Sequence, residues 1–299
     1  VKKIRDKLIF FIVYIFYIVF SRTPWKVNIF IGSFLGRLFF CFDFKYKYIA
    51  FKNLKLIFPE YNYKKIINVA KDCYSNLGKN LFEFFLFPRI KYFLGKIVDF
   101  SQKDIEILKS YLNQKKGVVI FSAHFGNWEL LGATLALNNL PLAVVVRSVY
   151  IKRLNFLVEK LRSSVGELVI GRAEEESLKK LLFALKKGYI IGVLIDQNIK
   201  NVKNVNIKFL GKEASTPISF VEMVIKYNIP SVIGLIYRLK NNKHKVVIFP
   251  IEEKFYKDKM EFLKFVNDKI SEYINKYPKQ WVWMHDRWNI SSSRDLRDK

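Results

Sequence analysis

Beyond Gly117 the chain sets six short apolar runs between amphipathic stretches, and that alternation constrains its fold more than any other feature. The runs at 118–122, 142–146, 167–170, 190–195, 231–239 and 245–250 are rich in Val, Ile and Leu. Strands buried on both faces read this way, as near-continuous hydrophobic runs rather than as alternating ones. Between them, residues 127–137, 152–163, 174–187 and 217–227 carry helical spacing, and a last helical stretch follows at 258–276. Strands alternating with helices predict an α/β fold, with a mixed, mostly parallel sheet flanked by helices. The last two strands are separated only by Lys240-Asn241-Asn242-Lys243-His244 and read as an antiparallel hairpin.

The first part of the chain differs. Val1-Lys2-Lys3-Ile4-Arg5-Asp6-Lys7 precedes thirteen apolar residues, 8–20. That is short of the ~20 residues a bilayer crossing needs. The following Ser21-Arg22-Thr23-Pro24-Trp25 lacks the small residues of a signal-peptide cleavage site. Lysine and arginine flank the apolar run on both sides, which favours a segment dipping into one leaflet over one that crosses. A second greasy stretch, 27–44, is interrupted by Gly32, Gly36 and Arg37 and is expected to lie beside the first. Residues 62–87 then read as a helix whose apolar positions include Ile66, Ala70, Cys73, Leu77 and Leu81.

Composition narrows the partners. Lysine and arginine total 52 against 26 acids, giving +26 in a chain that is 51% hydrophobic and 16% aromatic. The charge calls for an acidic partner. A nucleic-acid binder is seldom this apolar, whereas an anionic membrane surface suits both properties. Cys41 and Cys73 belong to no CxxC and have no histidine nearby, so they read as reduced residues with no zinc site.

The run Val118-Val119-Ile120-Phe121-Ser122 stops at Ala123-His124-Phe125-Gly126-Asn127-Trp128-Glu129. His124 thus ends a strand, where ligands are met in open α/β sheets. Asn127 reads as the N-cap of the next helix, placing Glu129 in its first turn. Taken singly, His124 suits a turn and Glu129 suits the positive end of a helix. Together, with Gly126 freeing the backbone between them, they read as a base beside a carboxylate, able to activate a hydroxyl toward an acyl carbonyl. Asp196 closes the run 190–195 and Arg147 closes 142–146, so both are expected on the same rim. Asp196 is equally readable as a turn cap. Arg147 is a candidate for binding phosphate or an oxyanion, as are the backbone amides near Asn127. The tryptophans of 281–288 read as core or as an interfacial belt, His285 with them, and His244 as a solvated turn residue.

These residues together resemble the lipid A biosynthesis acyltransferase family, the late acyltransferases acting on Kdo2-lipid IV(A). The likeness runs over nearly the whole chain. Asn53-Leu54 with Phe58-Pro59-Glu60 resembles the family's first signature, and His124 through Glu129 resembles its His-x4-acid box. Arg147, Tyr150 and Asn155 follow, with Ser148 where a proline is usual, and then Arg162 and Gly166. Gly188 with Asp196-Gln197, then Phe209-Leu210-Gly211 with Ala214 and Thr216, continue the series. Pro278-Lys279-Gln280-Trp281-Val282-Trp283-Met284-His285-Asp286-Arg287-Trp288 matches closely at its end.

The resemblance implies a fatty acyl thioester on acyl carrier protein as donor and an anionic glycolipid hydroxyl as acceptor. It implies no metal and no cofactor, because a thioester is already activated. His124 would be the base, Glu129 would orient it, and Arg147 or an amide near Asn127 would face the oxyanion. It further implies residence on the cytoplasmic face of the cell inner membrane. Residues 1–45 would be the anchor, 46–290 the acyltransferase domain and 291–299 a polar tail. Other readings are an acyltransferase for another glycolipid such as a phosphatidylinositol mannoside, a hydrolase using water at the same residues, and a non-catalytic basic membrane-surface protein. No G-x-S-x-G serine elbow is present, which disfavours covalent hydrolysis.

Overall fold

The computed structural model describes residues 2–114, 116–171, 176–199 and 202–289. The expected tail, 291–299, and the first residues of the expected helix 174–187 lie outside them.

Four long helices come first: α1 (Lys2–Phe20), α2 (Trp25–Phe42), α3 (Lys45–Ile57) and α4 (Tyr63–Phe84). Two single turns, α5 (Phe87–Ile90) and α6 (Leu94–Ile97), lead to the short strand β1 (Val98–Asp99) and to α7 (Gln102–Leu112). The alternating region follows as β2 (Val118–Ser122), α8 (Trp128–Leu137), β3 (Leu142–Val146), α9 (Lys152–Ser163), β4 (Leu168–Gly171), α10 (Ser177–Lys186) and β5 (Ile190–Leu194). A hairpin of β6 (Asn204–Phe209) and β7 (Lys212–Pro217) intervenes before α11 (Ser219–Tyr227), β8 (Ser231–Arg238), β9 (His244–Pro250) and α12 (Lys259–Lys276).

Seven strands form one sheet in the order β1-β9-β8-β2-β5-β3-β4. Strands β8, β2, β5, β3 and β4 run parallel, and β9 turns back antiparallel on β8, pairing Arg238 with His244. The mixed, mostly parallel α/β fold expected from the sequence is therefore the one observed. Alternate residues serve two cores. Val119, Phe121, Ala143, Ile191 and Val193 pack with α10, α11, α12 and the buried indoles of Trp281 and Trp283. Val118, Ile120, Leu142 and Ile190 pack with α8 and α9. Both sheet faces are covered, so the strands carry apolar residues at every position.

The β6–β7 hairpin was not legible in the sequence. Its two-residue loop, Leu210-Gly211, holds both residues at positive φ (51° and 77°), a conformation favoured by Asn-Gly and disfavoured by leucine.

The N-terminal helices meet the rest of the molecule through α4. Gly32 and Gly36 of α2 lie against Gly78 and Tyr74 of α4. A Cβ on Gly36 would sit 2.2 Å from the Tyr74 carbonyl oxygen. Small residues four apart let two helix backbones approach this closely. The second greasy stretch is thus seated on α4 by its glycines, and it shares an apolar groove with the first. Helix α1 packs on the same helix, with Phe20 edge-on to Phe82 at 4.8 Å and Tyr17 against Phe85. An apolar groove of about 670 Å³ separates α1 from α2. The outer faces of both expose Leu8, Phe11, Phe30 and Phe34, and Phe39 and Phe42 are exposed along the groove. Among the described residues only Trp25–Phe42 is long and apolar enough to cross a membrane.

Candidate active site

Parallel strands β2 and β5 pair Ser122 with Leu194. His124 and Asp196 each lie two residues farther on, so equal offsets bring them together at the carboxyl rim of the sheet. The connection after β2 leads toward β3 and that after β5 toward β8, on opposite sides. Such partings are where open α/β sheets hold ligands.

His124 Nδ1 lies 2.8 Å from Asp196 Oδ1. The His124 backbone N–H donates to Oδ2 at 2.8 Å, and Trp281 Nε1 donates to the same oxygen at 2.7 Å. Asp196 is 1% exposed. Burial alone would raise its pKa, but the imidazole and these hydrogen bonds outweigh it and hold the carboxyl below its ordinary range. An ionised Asp196 accepts the proton on Nδ1, which assigns the lone pair to Nε2. Nε2 bonds no described residue, and the ring, 23% exposed, lines a cavity.

The turn carrying His124 is fixed from beneath. Gly126 has φ 61°, and a Cβ there would lie 1.8 Å from the Ile236 carbonyl oxygen, so only glycine fits. Its N–H donates to the Gln280 carbonyl, and the Val282 N–H donates to that of His124. The segment that supplies Trp281 to Asp196 therefore also clamps the histidine. His285 Nε2 accepts the Asn198 amide at 3.0 Å, tying down the loop that carries Asp196. Burial pushes the His285 pKa down, and the neutral ring is a suitable acceptor.

Two expected arrangements are corrected. Glu129 does not orient His124; Arg162 of α9 grips both its oxygens, Nε at 2.9 Å and Nη2 at 2.7 Å. The first turn of α8 directs Glu129 toward α9, while the Trp128 ring stands edge-on to His124 at 5.2 Å. Asn127 faces no substrate either. Its Oδ1 caps α8 through the Leu130 amide, and its Nδ2 donates to Glu83 at 2.7 Å, leaving the side chain 1% exposed. Asp196 shares the rim with His124 as expected, buried beneath the imidazole. Arg147 is exposed after β3 and lines the cavity, with no side-chain partner among the described residues.

The cavity has a volume of about 480 Å³. His124, Arg147 and Gln197 stand at its rim, with Glu129 and Arg162 on one wall. From there it follows the apolar sheet face of Ile120, Leu142, Val144 and Leu194, beneath Leu131 and Leu135 of α8.

Sequence reasoning missed a buried hub next to this site. Glu83 of α4 accepts from Trp25 Nε1, Asn127 Nδ2, both Nη atoms of Arg238 and, at 3.0 Å, His244 Nε2. Burial would raise the Glu83 pKa, but Arg238 and His244 hold it well below the carboxylate range. His244, expected in solvent, is 0% exposed because its hairpin folds onto α4. The available signal was a lone acid within Phe82-Glu83-Phe84-Phe85, where an apolar helix face leaves a charge no water to meet.

The family model for bacterial lipid A biosynthesis acyltransferases matches residues 2–290. The chain is 23% identical over 274 residues to the lipid A biosynthesis palmitoleoyltransferase of Escherichia coli K12, covering 89% of this chain and 86% of that one. A lipid A biosynthesis acyltransferase of Shigella flexneri is equally similar. The lipid A biosynthesis lauroyltransferase of E. coli K12 is 22% identical over 277 residues, covering 89% and 87%.

Proposed function

The chain belongs to the bacterial lipid A biosynthesis acyltransferase family, and from that premise we propose that it moves a fatty acyl chain from acyl carrier protein to a hydroxyl of a Kdo2-lipid IV(A)-type precursor. The observation that carries the reading is an imidazole fixed by a buried carboxylate, its second nitrogen bonded to no described residue beside a cavity with an apolar floor.

His124 Nε2 takes the acceptor hydroxyl's proton as its oxygen attacks the thioester carbonyl. Asp196 fixes the tautomer and stabilises the imidazolium, as the acid does in a serine-protease triad. The tetrahedral oxyanion is met by Arg147 or by the free amides at the start of α8. Its collapse expels the carrier thiolate, which takes the proton back from His124. Glu129 holds the Arg162 fork rigid on the wall beside these atoms, and the apolar sheet face takes the hydrocarbon chain.

The exposed apolar faces of α1 and α2 support residence at a membrane, which we place at the cytoplasmic face of the inner membrane. Lys45, Lys47, Lys52 and Lys55 of α3 follow directly and would add about 1 kcal/mol each at an anionic surface. The +26 charge suits an acidic carrier and a phosphorylated acceptor alike.

The test incubates purified protein with dodecanoyl–acyl carrier protein and equal amounts of Kdo2-lipid IV(A) and a phosphatidylinositol mannoside. Mass spectrometry should show the acyl chain on the lipid A precursor. Free fatty acid as the main product would make the protein a hydrolase, and acylated mannoside would move the acceptor to another glycolipid. No acyl product of any kind would leave the non-catalytic reading.

A further inference from the structure

One group in the cavity wall has no part in the chemistry above. Glu167 precedes β4 and lines the cavity opposite Gly132 of α8. It is 5% exposed, and its Oε1 has no hydrogen-bond partner among the described residues. The nearby Arg162 fork is already committed to Glu129. Gly132 is what admits the carboxyl, since a Cβ there would lie 2.6 Å from Oε1. Burial, and then the charge of Glu129, hold the Glu167 pKa well above the ordinary carboxylate value. Both favour the protonated form, which has one O–H to donate and a carbonyl oxygen to accept. Buried polar groups almost always have partners, and this one borders the space assigned to the acyl chain.

We propose that Glu167 is a specificity-determining residue that reads a hydroxyl on the acyl chain, so that the enzyme favours a hydroxylated fatty acyl thioester over the plain chain of equal length. A hydroxyl can both donate to and accept from a carboxylic acid, whereas a methylene leaves the acid unpaired. Gly132 lies three residues along α8 from Glu129, about 4.5 Å by the helix rise. The hydroxyl that is read therefore sits on the carbonyl-proximal part of the chain rather than near its methyl end. The inference rests on the acyl-transfer reading of the cavity.

The experiment compares kcat/KM for dodecanoyl-, 2-hydroxydodecanoyl- and 3-hydroxydodecanoyl–acyl carrier protein with the full chain and one lipid A precursor. One of the hydroxylated donors should exceed the plain one by about tenfold, the worth of one ordinary hydrogen bond. Glu167→Gln, which still donates and accepts, should keep the preference within about threefold, and Glu167→Leu should remove it. Equal or poorer use of both hydroxylated donors by the unsubstituted protein overturns the inference alone. So does a preference that survives Glu167→Leu. Absence of transfer from every donor overturns it together with the acyl-transfer reading. Because the unsubstituted protein decides by itself, poor folding of either variant does not rescue the idea.

Discussion

His124 with Asp196 and Trp281, and His244 with Glu83 and Trp25, join the same three kinds of group, imidazole, carboxylate and indole, in opposite surroundings. In each, an indole N–H and an imidazole nitrogen meet one buried carboxylate. Beside Glu83 there is also the Arg238 guanidinium, which neutralises the carboxylate before the histidine can. Burial and Arg238 push the His244 pKa down, and its ring is sealed from water. No guanidinium bonds Asp196 among the described residues, so the imidazole is its natural counter-charge. His124 also opens onto a cavity. A histidine–carboxylate pair is thus a structural joint when a second cation and full burial accompany it. The proposal that His124 acts as a base rests on its pair having neither.

The sharpest way to break that contrast is to remove each imidazole. His124→Ala should lower kcat by about 10⁴ while leaving the melting temperature nearly unchanged, as expected for a general base at a rim. His244→Ala should instead cost about 3 kcal/mol in urea unfolding, with kcat of the folded fraction kept within severalfold. Loss of turnover without loss of stability in His244→Ala would erase the distinction.

The carboxylates sharpen it next. Asp196→Asn presents the wrong group to Nδ1 and should cost about 10³ in kcat, with a displaced pH–rate limb. Glu83→Gln leaves Arg238 buried without its counter-charge and should cost about 3–5 kcal/mol of stability. Glu129→Gln frees one side of the Arg162 fork and should lower kcat/KM by about 100-fold with the His124 limb in place. If Glu129→Gln displaced that limb while Asp196→Asn did not, the assignment of Asp196 as the orienting acid would be wrong.

The smallest effect concerns Glu167. Its native pKa is raised, so between the unfolded value near 4.5 and the native one the folded state binds more protons. Stability then falls as pH rises through that window. Glu167→Gln should gain on the unsubstituted protein by about 1.4 kcal/mol for each pH unit of that window, followed by thermal unfolding. A pH-independent difference between the two would place an ionised carboxylate in the cavity wall.

Local patterning along the chain determined six of the nine strands among the described residues, their largely parallel run and the terminal β8–β9 hairpin, because apolar periodicity is a property of neighbouring residues. It also placed His124, Arg147 and Asp196 at strand ends, and Asn127 as a helix cap. Which acid meets the imidazole was another matter. Glu129 is five residues from His124 in sequence, whereas Asp196 is joined to it only through the β2–β5 register. Likewise the hub of Glu83 gathers side chains from positions 25, 127, 238 and 244, and the cavity exists only where α8 crosses the sheet. Pairings between distant residues follow from strand register and helix packing, so tertiary structure alone decided them.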